Sequence, residues 1–174
     1  GRSRRTIKLR DICMALDVGD RDGRYVLERG FVPKGVTESP GSGDHREFSP
    51  YQAYWLSIVF KLKQSGIKNR KIADYADTAI GTTTQNLCWD WQFLPRAGRF
   101  DTDHKYYIDV ADLAYIRLVT NSCPDQEGWY EFDWQRVTKS RRPVENVFPC
   151  VLIRLDLALI AKKVGQAFKF DEMT

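Results

Sequence analysis

Residues 10–30 read Arg10-Asp11-Ile12-Cys13-Met14-Ala15-Leu16-Asp17-Val18-Gly19-Asp20-Arg21-Asp22-Gly23-Arg24-Tyr25-Val26-Leu27-Glu28-Arg29-Gly30. Two helical patterns stand back to back in this run. Ile12 and Leu16 are spaced i, i+4, on one face of a short helix over 10–16. Asp17–Gly19 supplies a tight turn. Asp20 is suited to N-cap a second helix over 20–29, and Gly30 to end it in the left-handed conformation. Two short helices across a tight turn form a helix-turn-helix. The second carries Arg21, Arg24 and Tyr25.

Outward from this unit, a basic arm (Arg2, Arg4, Arg5) precedes an extended start at Ile7. After Gly30, residues 31–48 read as an extended hairpin. Phe31-Val32-Pro33 leads out, Pro40-Gly41-Ser42-Gly43-Asp44 turns, and His45-Arg46-Glu47-Phe48 returns. Ser49-Pro50 is a strong helix start, with a hydroxyl at the N-cap and proline at the first helical position. That helix runs to Ser65, closed by Gly66. A further helix spans 69–79 with Ile72, Tyr75, Ala76 and Ala79 on one face.

Beyond residue 80 the pattern changes. Cys88–Leu94 and Lys105–Ile108 read as strands. Val110–Thr120 reads as a helix with Val110, Leu113, Ala114 and Leu118 inward. Gly128–Val137 alternates as one strand, with Tyr130, Phe132 and Trp134 on the face opposite Trp129. Cys150–Leu155 is a strand that Asp156 caps into a final helix ending near Phe170. Tyr106–Ala114 and Leu152–Ala161 echo each other as strand, aspartate cap, helix, although aspartate is a common cap in any helix. The expected fold class is α+β. A winged helix-turn-helix over 1–80 would be followed by a small α+β domain over 81–174 with an antiparallel or mixed sheet.

The 174 residues are 43% apolar and 13% aromatic, enough for a packed core. The net charge of +4 is unevenly placed. Residues 1–80 hold 15 Lys/Arg against 10 Asp/Glu, and residues 81–174 hold 12 against 13. The positive excess lies in the first half, pointing to an electrostatic partner there. No apolar run is long enough to span a bilayer, and no apolar run follows the charged N-terminus as in a signal peptide. Cys13, Cys88, Cys123 and Cys150 are widely spaced with no C-x-x-C pair, so reduced thiols in a cytoplasmic protein are expected.

The order helix, turn, helix, hairpin, helix, helix over 7–80 resembles the winged helix-turn-helix domain of the MerR family of transcription regulators. The resemblance rests on Arg24-Tyr25-Val26-Leu27-Glu28-Arg29-Gly30-Phe31, similar to the family's R-Y-Y-E-R-R-G-L-like run. It rests also on His45-Arg46-Glu47-Phe48-Ser49 at the wing return, then on Leu62-Lys63-Gln64-Ser65-Gly66-Ile67 and Ile72-Ala73-Asp74-Tyr75. Val26, Leu27 and Glu28 depart from the family's usual Tyr, Glu and Arg. Ile80-Gly81-Thr82-Thr83-Thr84 interrupts the long dimerising helix that normally follows. The resemblance covers under half the chain. It implies double-stranded DNA as partner, transcription regulation as use, and a bacterial or phage-encoded, nucleoid-associated protein.

On such a scaffold Arg21 and Arg24 would enter the major groove, where arginine bonds guanine or phosphate. Tyr25 would donate to a phosphate or, alternatively, belong to the small domain's core. Lys34, His45 and Arg46 would follow the neighbouring backbone or minor groove. Lys68, Arg70 and Lys71 would meet phosphate at the start of the fourth helix. A homodimer is the default expectation, because one winged domain reads a short site. The aromatic set of the second half (Trp89, Trp91, Phe93, Phe100, Tyr106, Tyr107, Trp129, Tyr130, Phe132, Trp134) reads as a core and dimer surface. A ligand wall for a small-molecule effector and a base-stacking platform are the sharper alternatives. Lys139-Ser140-Arg141-Arg142-Pro143 reads as a solvated basic loop. No Ser/His/Asp constellation, Walker loop or dinucleotide glycine motif appears, so neither enzyme activity nor a cofactor is expected. Asp101, Asp103 and His104 offer a weak metal cluster, and none is expected to bind. Other readings are a phage-type excision or packaging accessory, a protein-interaction module and a small-molecule sensor.

Overall fold

Ser49 begins the central element as its sequence requires. Its Oγ accepts a hydrogen bond from the Gln52 amide (3.3 Å), and Gln52 Oε1 accepts one from the Ser49 amide (3.0 Å). This reciprocal box satisfies two amides that a helix start otherwise leaves open. In the computed structural model, residues 6–29, 46–68, 71–76, 78, 105–121, 126–137 and 143–169 are described. The helix capped by Ser49, α3 (Pro50–Gln64), follows β1 (Ile7–Lys8), α1 (Leu9–Leu16), α2 (Asp20–Glu28) and β2 (Glu47–Phe48). Residues 71–76 and 78 are also helical and form α4. Then come β3 (Tyr106–Ala111), β4 (Tyr115–Thr120), β5 (Tyr130–Glu131), β6 (Trp134–Arg136), β7 (Pro143–Val144), β8 (Leu152–Asp156) and α5 (Leu157–Ala167). The class is α+β.

Helix α3 buries Ala53, Tyr54, Leu56, Ile58, Val59, Phe60 and Leu62, spread around its circumference. A helix apolar on all sides belongs at the centre of a core, and α1, α2 and α5 pack against it. Around α1, Leu9, Ile12, Cys13 and Leu16 face inward. Its end is set by Asp17 in the left-handed conformation (φ 55°), with the Val18 amide bonded to the Cys13 carbonyl at 2.9 Å. Lys61 of α3 fixes that end from outside. Its Nζ donates to the Leu16 carbonyl at 2.7 Å and to Gln64 Oε1 at 2.9 Å. The N-cap of α2 is Gly19, one residue before the expected Asp20. Asp20 and Asp22 lie inside the first turn, where the helix dipole favours carboxylates. The β1–β2 pairing, Ile7 opposite Phe48, closes the two-helix unit with buried side chains on both strands. Gly30 and the hairpin from 31 to 45 lie outside the described residues, as do Cys88–Leu94 and the 139–142 part of the basic loop.

The second sheet is antiparallel, in the order β7-β6-β4-β3-β8, with β5 also on β4. Here two expectations change. Residues 110–120 form no helix: β3 and β4 are a hairpin joined at Asp112-Leu113, both at positive φ (51° and 53°). The echo of strand, cap, helix therefore holds only in its second copy, where Asp156 caps α5 by accepting from the Leu159 amide (2.9 Å). The alternating run 128–137 is split into β5 and β6, since the Phe132 amide bonds the Leu118 carbonyl between them. The break places Tyr130 opposite Thr120 and Trp134 beside Arg117, on opposite faces of the sheet.

One sheet face, including Ile108, Val110, Ile116, Leu118 and Leu155, joins the same buried cluster as α1, α3 and α5. Two tyrosine hydroxyls tie the halves together. Tyr54 donates to the Ala161 carbonyl (3.1 Å), and Tyr75 donates to the Leu113 carbonyl. The division expected at residue 80 adjoins the stretch 79–104, outside the described residues.

Candidate functional site

Close packing turns one face of α2 outward. A Cβ on Gly23 would lie 2.9 Å from Cys13 Sγ, 3.3 Å from Leu9 Cδ1 and 3.5 Å from Phe60 Cζ. A hydrogen at this position lets α2 seat on α1 and α3 with Val26 and Leu27 also buried. Arg21, Arg24, Tyr25 and Glu28 are then exposed. Burial, helped by Asp20 and Asp22 and opposed by Arg24, pushes the Cys13 thiol up to about 12. It is a packing group, protonated at neutral pH.

Tyr25 is 37% exposed, so the core alternative for this residue does not hold. Two cations approach its ring: Lys63 Nζ from α3 at 4.2 Å and the Arg29 guanidinium at 5.4 Å from the centroid. Arg21, Arg24, Tyr25 and Lys63 line an open groove of about 800 Å³, together with Asp20, Asp22 and Glu28. The acidic Asp20 and Asp22 occupy the start of α2, and the cations gather around Tyr25 toward its end. Lys63 and Arg29 are members of this cluster that the sequence does not mark as DNA contacts. Lys63 follows Phe60 by one helical turn, and Phe60 is the α3 residue facing Gly23.

Arg46 is half-buried before β2, and Lys68 and Lys71 are exposed beyond α3. None of the three is among the groove's described lining residues. Lys34, His45, Arg70 and the arm Arg2, Arg4 and Arg5 lie outside the described residues, as do Asp101, Asp103 and His104. Among the described residues no group of three or more His, Cys, Asp or Glu is placed to hold a metal ion, and no helix is long and apolar enough to cross a membrane.

Neither protein-family models, curated proteins nor solved structures give a match to this chain.

The outer face of the large sheet is the second conspicuous arrangement. Asp109, fully buried, sits between Arg154 and Arg117 on the two neighbouring strands. Arg154 Nε and Nη2 reach its two oxygens at 2.7 and 3.0 Å. Arg117 Nε reaches Oδ2 at 3.2 Å and its Nη1 reaches Glu131 at 2.9 Å. The bond to Asp109 holds the Arg154 guanidinium above its usual range. Arg154 also lies over Tyr107, Arg117 over Trp134 and Arg136 over Tyr115. Tyr107 stacks on Trp129, itself 57% exposed. With both oxygens of Asp109 engaged, this is a structural lattice of cations, carboxylates and rings rather than an acid–base site.

Proposed function

We propose that the chain binds double-stranded DNA through α2, as a cytoplasmic regulator of transcription built on a MerR-like winged helix-turn-helix. One observation carries the reading. α2 buries Gly23, Val26 and Leu27 and holds Arg21, Arg24 and Tyr25 outward beside Lys63. A short helix seated on two others, with arginines on its exposed face, is the shape that enters a major groove. Cations around Tyr25 would neutralise phosphates and supply affinity. Arg21 and Arg24 would supply register and base preference.

The test is selection of bound sequences from a random duplex pool. The expected result is an enriched motif that Arg24→Ala loses or relaxes at one position. A change of this kind costs about 1–3 kcal/mol where arginine bonds a base. A pool that returns no enrichment, with no retention of duplex DNA at low salt, would reject the proposal.

A further inference from the structure

We infer that the free edge of β8 is where two copies of this chain pair, antiparallel, into one continuous sheet. The inference is independent of DNA binding. β8 ends the strand order, and among the described residues no strand lies on its outer side. The ladder tells which groups face outward. The Asp112 amide bonds the Val151 carbonyl at 2.9 Å, so Val151, Ile153 and Leu155 turn their backbone groups toward β3. Leu152 and Arg154 therefore aim an amide and a carbonyl each away from the sheet.

Exposed edges are usually blocked by lysine, proline or a bulge. Residues 150–156 (Cys150-Val151-Leu152-Ile153-Arg154-Leu155-Asp156) contain no lysine and no proline. Arg154 is drawn back onto its own sheet by Asp109. Val151 is 57% and Leu152 47% exposed, apolar side chains left in water at a strand whose outer edge has no partner among the described residues.

Charge and shape select the register. Centred on Arg154, a two-fold pairing would set guanidinium against guanidinium, which is unfavourable. Centred on Ile153, it opposes Ile153 with its own copy and Val151 with Leu155 on the helix side of the sheet. On the other side it opposes Leu152 with the stem of Arg154, and no like charges face each other. All seven residues from 150 to 156 then find a counterpart. The outward groups of Leu152 bond those of Arg154 in both directions. Such an interface is isologous and closes at two copies.

Sedimentation of the full chain over a range of concentrations tests this. Wild type is expected to form a dimer, and Leu152→Lys a monomer with unchanged circular dichroism. Ile153→Cys in a Cys150→Ser background is expected to form an intermolecular disulfide under mild oxidation, mapped to position 153 by mass spectrometry. Leu152→Cys in the same background is expected not to. A monomer at every concentration overturns the inference and leaves the edge to another protein's strand. A dimer indifferent to Leu152→Lys, or crosslinking at 152 in place of 153, overturns it equally.

Discussion

Gly23→Ala is the substitution whose outcome depends most directly on how α2 is seated. In an exposed helix the change would stabilise by about 1 kcal/mol, from helix propensity. Here the new methyl would sit 2.9 Å from Cys13 Sγ and 3.3 Å from Leu9 Cδ1, against an ordinary contact of about 3.5–4.0 Å. Cys13 and Leu9 are both buried on α1 and have little room to retreat. Overpacking of this kind costs roughly 1–3 kcal/mol, so the expected net is a loss of about 1 kcal/mol. Urea unfolding with a constant slope measures it. The decisive control is a double-mutant cycle with Cys13→Ala, which removes the nearest atom. The double variant should be more stable than the two single effects predict by about 1 kcal/mol, the coupling of residues in contact. If Gly23→Ala stabilises by its helix propensity, or if the two changes add within roughly 0.5 kcal/mol, then α2 does not lie against α1 as described. The presentation of Arg21 and Arg24 would lose its basis.

The Cys13 thiol gives a pH dependence of known sign. It is pushed up to about 12 in the folded chain, whereas an unfolded thiol ionises near ~8.5. Between these values the unfolded chain holds fewer protons, so this thiol makes stability fall as pH rises, by up to about 1.4 kcal/mol per unit. Cys13→Ala should lack that component, and parallel alkaline profiles for the two proteins would refute it. Asp109→Asn should destabilise by roughly 2–3 kcal/mol, because two guanidinium groups lose their shared carboxylate, with the half-exposed Arg154 softening the effect. A loss too small to measure in urea unfolding would mean the ion pairs contribute only surface charge.

The contrast between legible and illegible parts of the fold follows from how local each signal is. Ser49-Pro50, Asp156 and the pair Ile12 and Leu16 were readable because a cap or a helix face is decided within four residues. The β3–β4 hairpin was not. Val110, Leu113, Ala114 and Leu118 carry helical spacing, and the turn uses Asp112 and Leu113 at positive φ where Asn-Gly would have announced it. That turn is held from a distance. The Asp112 carboxylate accepts the Cys150 and Val151 amides (2.8–3.3 Å), 38 and 39 residues away, and the Leu113 carbonyl accepts the Tyr75 hydroxyl. In the candidate site Arg21, Arg24 and Tyr25 were found because they share one short helix. Lys63 was missed because its place over Tyr25 depends on α3 crossing α2 at Gly23 and Phe60. The sheet lattice around Asp109 was missed for the same reason: its members come from five strands paired in a register that alternation alone does not supply.

The exposed face of α2 is proposed to meet duplex DNA. A salt titration of duplex binding, wild type beside Arg24→Ala and Lys63→Gln, tests it most directly. The expected result is a steep linear loss of affinity with log salt in the wild type. Lys63→Gln, by removing a phosphate contact, should make the slope shallower by about 1, and Arg24→Ala should weaken binding to the selected sequence. Binding that is absent at low salt, or present with slopes identical in all three proteins, would contradict the claim.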